Sequence, residues 1–302
     1  MKLPSLKQLR YFVALAEHGH FGRAAEACFV SPSAFSVAIR DLEALLDANL
    51  VDRTNKNVTI TADGREVAAK ARLCLREVEE LVELARSHRE PLSGTLRLGV
   101  IPTIAPFLLP RLLPGLREDY PQLQLFLREE QTLRLYERLM AGELDVLLIA
   151  LPYELAQTEQ LPLFKDPFRL ALREGSTLVD PEHYSPSALP PESILLLEDG
   201  HCLREHAISA CKLRRAEQYS RFSASSPLTL IEMVDADLGI TFLPQMAEGS
   251  PLMKNTRIKT WPLADNSYRE IGLVWRRGSR QGDSFRLLGE YIRKHRVEKK
   301  RE

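Results

Sequence analysis

The residues with the most capacity for chemistry lie together at Glu198-Asp199-Gly200-His201-Cys202-Leu203-Arg204-Glu205-His206, with a second thiol at Cys211. The stretch follows an apolar run, Ile194–Leu197, that reads as a buried strand, and it turns into a helical pattern. Cys202 therefore falls near a helix N-terminus with His201 and Arg204 beside it, and each of these features lowers a thiol pKa. A thiolate attacks peroxide to give a sulfenic acid, which condenses with a second thiol to a disulfide. Cys211 is the candidate for that second thiol. If 202–211 is helical, nine residues set the two Cα atoms about 13 Å apart, whereas a disulfide needs them within roughly 7 Å. Bond formation must then unwind the segment.

The residues alone leave other chemistry open. Both cysteines can serve as small buried hydrophobes. His201, Cys202, His206 and Cys211 are all possible zinc ligands, although their spacing matches no standard knuckle. A Cys–His pair also begins a hydrolase, but no third orienting group is identifiable. Cys28, among Ala24, Ala25 and Ala27, and Cys74, on the apolar face of a long helical pattern, both read as buried small hydrophobes.

The elements that must position these groups fall into two parts, as 302 residues allow. Lys and Arg together number 41, matched by 41 Asp and Glu, so no global basic field announces nucleic acid and no acidic excess suggests disorder. The N-terminus carries no uninterrupted apolar segment of signal-peptide type, and runs such as Val146–Leu151 are far too short to span a bilayer. The expectation is a cytoplasmic protein with no membrane partner, whose thiols are kept reduced. No G-x-G-x-x-G follows an early strand, which argues against a dinucleotide enzyme.

Helical spacing covers residues 6–18 and 22–28. Ser31 then caps a third helix that has Pro32 at its first position and runs to about Leu46. Phe35, Ile39, Leu42 and Leu46 share one face of that helix, while Ser33, Ser36, Val37 and Arg40 fall largely off it. The polar turn 54–57 between Leu50-Val51 and Val58–Thr61 predicts a β-hairpin. Three short helices and a hairpin make a winged helix-turn-helix. Ser33, Ser36, Val37 and Arg40 would then meet base edges, with Arg53, Thr54 and Lys56 on phosphate or in the minor groove. A small helical bundle with a solvated polar face fits the same pattern. One long helix follows, from Asp63 to about Arg89, and thereafter strand and helix signals alternate. Strands are expected at 96–100, 123–127, 145–149, 194–197, 240–243 and 271–275, in a mainly parallel sheet covered by helices.

The run Leu9, Phe12, Ala14, Phe21, Ala24-Ala25, Val30-Ser31, Phe35-Ser36, Ile39 and Leu42-Glu43 resembles the N-terminal signature of LysR-type regulators. So does Arg53-Thr54 followed by Ile60-Thr61-Ala62-Asp63-Gly64. The likeness extends over the whole chain, with one departure at Pro32, where many members carry Gln. It implies a winged helix-turn-helix at 1–62, all-α with a β-hairpin wing, and a linker and dimerisation helix at 63–90. It further implies an α/β effector domain at 91–302, made of two Rossmann-like subdomains in a periplasmic-binding-protein type 2 fold. Subdomain I would hold 91–165 and 269–302, and subdomain II 166–268. The implied partners are double-stranded operator DNA, RNA polymerase and further copies of the chain as a homodimer or homotetramer. It implies a regulator rather than an enzyme, with no metal or other cofactor.

Leu195–Arg204 with Cys211, Gly99-Val100-Ile101-Pro102-Thr103, Gln131-Thr132 and Ile271–Val274 are further similar to the peroxide-sensing branch of that family. In that branch the cysteine matching Cys202 is peroxidatic and the one matching Cys211 resolves it. Groups matching Thr103, Thr132, His201 and Arg204 position hydrogen peroxide. Thr103 and Thr132 can also simply cap following helices. Glu205 stands where the branch carries Asp, and 212–220 does not follow its pattern. The alternative is a regulator that binds a small organic effector in the cleft between the two subdomains.

Overall fold

A computed structural model describes residues 2–53, 58–85, 92–181, 183, 189–210, 218–263 and 267–296. The chain forms two compact units: Met1–Arg89 with Met140–Glu143, and Glu90–Leu139 with Leu144–Glu302.

In the first unit, α1 (Leu6–His18), α2 (Phe21–Ala27) and α3 (Pro32–Leu46) are delimited by local chemistry. Ser5 and Gln8 form a reciprocal capping box on α1. The His20 ring accepts from the amides of Gly22 and Arg23 at the head of α2, and Ser31 Oγ accepts from Ala34 N ahead of Pro32. The core gathers Phe12, Leu15, Phe35, Ile39 and Leu42, with Tyr11 stacked on Phe35 at 5.1 Å between ring centroids.

The hairpin of β1 (Val51–Arg53) and β2 (Val58–Ile60) is antiparallel, with Val51 opposite Ile60. Glu43 fastens it to α3 by accepting from the amides of Leu50 (3.0 Å) and Val51 (3.1 Å). Thr61 Oγ1 donates to Asn49 O and accepts from Gly64 N as α4 (Ala62–Ala85) begins. A Cβ at Gly64 would lie 2.2 Å from Leu50 O, so only glycine fits there.

At about 36 Å, α4 is longer than α1, which packs on it and at about 20 Å covers only part of its length. Ala68 and Ala71 are buried, but Leu81 and Val82 are exposed. Cys74 is exposed as well, which corrects the expectation of a buried cysteine: the covered stripe of α4 runs through Ala68, Ala71, Leu75 and Val78, and Cys74 falls beside it.

The second unit runs β3 (Gly94–Val100), α5 (Ala105–Asp119), β4 (Leu123–Glu129), α6 (Thr132–Met140), β5 (Val146–Leu151), β6 (Thr158–Arg173), β7 (Ile194–Leu197), α7 (Cys202–Ala210), β8 (Tyr219–Ala224), α8 (Pro227–Asp235), β9 (Thr241–Pro244), β10 (Ile258–Pro262), β11 (Tyr268–Arg276) and α9 (Gly282–His295). All six expected strands are present.

The main sheet is ordered β10-β6-β11-β5-β3-β4, with β9 also on β6. It is mixed rather than mainly parallel. The pairs β3–β4 and β3–β5 are parallel, but β11 runs antiparallel to both β5 and β6, and β6 is antiparallel to β9 and β10. The reason is β6, a 16-residue strand. Its first part pairs with β11 through Pro167, and its last part, Phe168–Arg173, pairs with β9 and β10. The parallel pair β7–β8 makes a small sheet of its own. Every residue of β5, VLLIAL, is buried, as expected of a strand covered on both faces. No described helix is long and apolar enough to cross a membrane.

Candidate functional site

Three loops that leave strand C-termini converge on Cys202, the usual place for a site in an α/β sheet. Residues 101–103 follow β3, Gln131 and Thr132 follow β4, and Gly200–Cys202 follow β7. Gly200 has φ +90°, and a Cβ there would lie 2.8 Å from Gln131 Oε1, so glycine both turns the chain and admits the neighbouring loop. His201 N donates to Glu198 O, and α7 starts at Cys202, at the helix N-terminus as the sequence predicts. Thr103, Thr132, His201 and Cys202 are all buried. The pocket they line has about 150 Å³ of empty space, with no free room for a water-sized body.

The cation beside the thiol is one that sequence reasoning missed. Arg269 is fully buried at the start of β11. Its Nε donates to Asp166 Oδ2 (3.0 Å), Nη1 to Thr103 Oγ1 (3.0 Å) and Nη2 to Thr103 O (2.9 Å). Asp166, its register partner on β6, also accepts from Met246 N. Burial pushes the Asp166 carboxyl up, opposed by Arg269 and the Met246 amide. Geometry favours the ion pair, because a buried guanidinium needs its carboxylate.

Burial likewise pushes the Cys202 thiol above its ordinary value. The charge of Arg269 and the Thr132 and Thr103 hydroxyls pull the other way. The expectation of a thiol depressed by His201 and Arg204 is thus corrected: in this conformation desolvation prevails, and the opposing cation comes from 67 positions away.

Arg204 turns elsewhere. Its Nη1 donates to Leu197 O (3.2 Å) and its Nε pairs with Asp199 Oδ1 (2.9 Å), so it braces the turn ahead of Cys202 rather than facing the sulfur. Two positions along a helix is about 200° of rotation, which carries the side chain to the far face. His206, four positions along, returns to the Cys202 face. Burial, followed by the charge of Arg269, drives its pKa down to about 4.

Burial also lowers His201, against Glu198 and a hydrogen bond to the Ser225 backbone that together favour its charged form. His201 Nδ1 and Thr132 Oγ1 are buried without a well-formed hydrogen bond among the described residues. Because Nδ1 is the orphan, the Ser225 bond falls to the other ring nitrogen, and the neutral ring keeps an acceptor lone pair at Nδ1. Cys211 lies outside the described residues.

On α3, Ser33, Val37 and Arg40 are exposed and Ser36 is half-buried, opposite the buried Phe35, Ile39 and Leu42. They form one outward face, i, i+3, i+4 and i+7. Phe29, in the turn before α3, is 93 % exposed with φ +55°. Its hydrophobicity had concealed this from a pattern-based search. Arg53 ends β1, while Thr54 and Lys56 lie outside the described residues.

Residues 6–65 match a family described as "Bacterial regulatory helix-turn-helix protein, lysR family", and residues 89–296 match the "LysR substrate binding domain". The chain is 40 % identical over 290 residues to the DNA-binding transcriptional dual regulator OxyR of Escherichia coli (strain K12), covering 96 % of this chain and 95 % of the relative. Its fold is similar to a full-length OxyR cysteine-to-aspartate variant from Pseudomonas aeruginosa, with a TM-score of 0.83, 32 % identity and coverage of 97 % and 96 %. It is also similar to a cysteine-to-serine OxyR variant from Corynebacterium glutamicum with H2O2 bound, with a TM-score of 0.64, 31 % identity and coverage of 98 % and 95 %.

Proposed function

The chain belongs to the LysR family of bacterial regulatory proteins, and on that premise we propose that it is a transcriptional switch thrown by hydrogen peroxide at Cys202. The observation that carries the proposal is the pocket itself. A cysteine sits between two threonine hydroxyls and a buried arginine, in about 150 Å³ of empty space. Small organic ligands take roughly 300–1,000 Å³, whereas here even a water-sized body finds no free room. Tight packing of this kind opposes an organic effector at Cys202 and suits an oxidant of two heavy atoms admitted by slight movement of the lining.

The hydrogen-bonding inventory points the same way. Arg269 has only donors, so Thr103 Oγ1 must accept from it, which leaves the Thr103 hydroxyl proton to be donated into the pocket. The Thr132 hydroxyl is a second donor, and His201 Nδ1 is an acceptor. Hydrogen peroxide has two protons to give and two oxygens to be bonded. The Cys202 thiolate attacks one oxygen, the S–O bond forms as the O–O bond breaks, and hydroxide leaves with the proton that the thiol released, as water. The charge growing on the leaving oxygen is met by donors already in place. Arg204 positions the Cys202 turn from behind.

The sulfenic acid then condenses with the Cys211 thiol, releasing a second water. Cys202–Ala210 is helical and about 12 Å long, and Cys211 is the next residue, so the disulfide requires α7 to unwind. In this proposal residues 1–62 read operator DNA through Ser33, Ser36, Val37 and Arg40, with Arg53, Thr54 and Lys56 on the backbone. Residues 63–90 join copies of the chain. Subdomains 91–165 with 269–302 and 166–268 carry the refolding signal to the DNA and to RNA polymerase, in the cytoplasm.

The test treats reduced protein with near-stoichiometric peroxide and maps its peptides without reductant. A Cys202–Cys211 cross-link formed within seconds, absent from Cys202→Ser, is the expected result. Unmodified thiols or a slow mixture of pairings would overturn the proposal.

A further inference from the structure

Phe29, in the turn between α2 and α3, is 93 % exposed and has φ +55°. The turn closes α2 in a Schellman motif: Phe29 N donates to Glu26 O (2.9 Å) and Val30 N to Ala25 O (3.0 Å). The residue after the C-cap of such a motif takes the left-handed conformation, and glycine is its usual occupant. Any other residue there sets its Cβ against its own backbone, and a bulky one is an outlier. Cys28 and Val30, on either side, pack on the core of the first unit.

So exposed a ring adds almost no burial to the fold, while its backbone is held in a costly conformation. Strained residues of this kind gather at functional sites. The place of this one is informative. Ser31, two positions on, caps α3. A recognition helix sets the residues of its N-terminal end on the base edges, so Phe29 stands at the end of α3 that enters the groove. Ser33, Val37 and Arg40 are exposed from the same helix, and the ring adds a large apolar group to that face. The floor of the major groove offers donors and acceptors, which a phenyl ring cannot bond, and one apolar group, the C5-methyl of thymine.

We propose that Phe29 is a base-reading residue that packs on the C5-methyl group of a thymine in the operator. The proposal rests on the reading of α3 as the recognition helix and not on the chemistry of Cys202. Ring and methyl leave water together when the helix docks, so the DNA rather than the fold recovers the cost of the turn. Cytosine at the same place lacks the methyl group, so the contact selects thymine where the polar side chains of α3 do not reach.

DNA selected from a random pool by the full-length chain, in reduced and in peroxide-treated form, supplies the probe. Each thymine of the selected site is then replaced singly by deoxyuridine, which removes the methyl group and keeps the hydrogen-bonding edge. At one such position the exchange should weaken binding by the parent chain about fourfold, the worth of one buried methyl group, and leave binding by Phe29→Gly unchanged. Phe29→Gly and Phe29→Asn both accept the left-handed turn. Each should bind the unmodified site about tenfold more weakly and resist urea at least as well as the parent. A residue with a structural role alone gives a different pairing, weaker binding together with lower resistance to urea. The proposal is overturned if the variants bind as tightly as the parent, if they unfold at lower urea, or if no thymine methyl matters to the parent alone. A parent chain that selects no sequence overturns the DNA-reading function as well, whereas selection with unaffected variants overturns the role of Phe29 alone.

Discussion

The outward face of α3 and the pocket of Cys202 solve opposite problems. Ser33, Ser36, Val37 and Arg40 lie within eight consecutive residues. They are displayed by one helix and depend on one another only through its backbone. The pocket draws Thr103, Thr132, Asp166, Cys202 and Arg269 from five separate segments, and Arg269 ties Asp166 and Thr103 together while its charge acts on Cys202. A reading head tolerates exchange of one side chain at a time, whereas a buried reactive centre is interlocked and fails as a whole. Mutation should reveal that contrast in both stability and activity.

The largest expected effect is that of Arg269→Met. It leaves Asp166 charged and alone in the core, so urea unfolding of the second unit should lose about 3–5 kcal/mol. Replacing both partners by apolar residues should recover much of that. If Arg269→Met alone is as stable as the parent chain, the pocket is not interlocked in the way described.

Next comes acid stability. With a folded pKa of about 4 against an ordinary 6.5, His206 resists protonation in the fold. Its stability contribution is complete above about pH 6.5 and drains as pH falls through 4, by about 3 kcal/mol at most. His206→Gln should flatten stability between pH 6.5 and 4; an unaltered profile would show that the ring is not held neutral.

Thr103→Val removes both the acceptor of Arg269 Nη1 and a pocket donor. Stopped-flow oxidation of Cys202 should slow by roughly a hundredfold, the lower end of what loss of one preorganised donor costs.

The smallest effect sharpens the comparison from the other side. Arg40→Ala should weaken operator binding by about 1–3 kcal/mol while leaving stability within about 0.5 kcal/mol and Cys202 oxidation unchanged. A change in oxidation would mean that the two regions are not independent.

How much of this was legible in the sequence follows the same division. Ser31-Pro32 marked the start of α3, and its apolar spacing marked the buried face, because caps and faces are decided within a few residues. Ile194–Leu197 and the helix beginning at Cys202 were legible for the same reason. By contrast, β6 was concealed. Pro162, Lys165, Asp166 and Pro167 interrupt its run, and proline and charge both speak against a strand interior. With β6 hidden, Asp166 had no place, and neither did its partner 103 positions away. Arg204 was assigned to the thiol because it adjoins Cys202 in the chain, but helical rotation sends it to the opposite face. Cys74 was misplaced because the apolar residues of α4 spread over more of its circumference than the stripe through Ala68, Ala71, Leu75 and Val78 that finds cover.

The course of β6, whose first part pairs with β11 and whose last part pairs with β9 and β10, bears on how such a protein is inherited. Its main sheet is assembled from strands that are not contiguous along the chain. A genetic exchange between β6 and β11 would join two strands that had never paired. The helix-turn-helix match at 6–65 lies apart from these strands along the chain, so a graft of that segment severs none of them. Descent can therefore change what the protein reads far more easily than it can change what it senses.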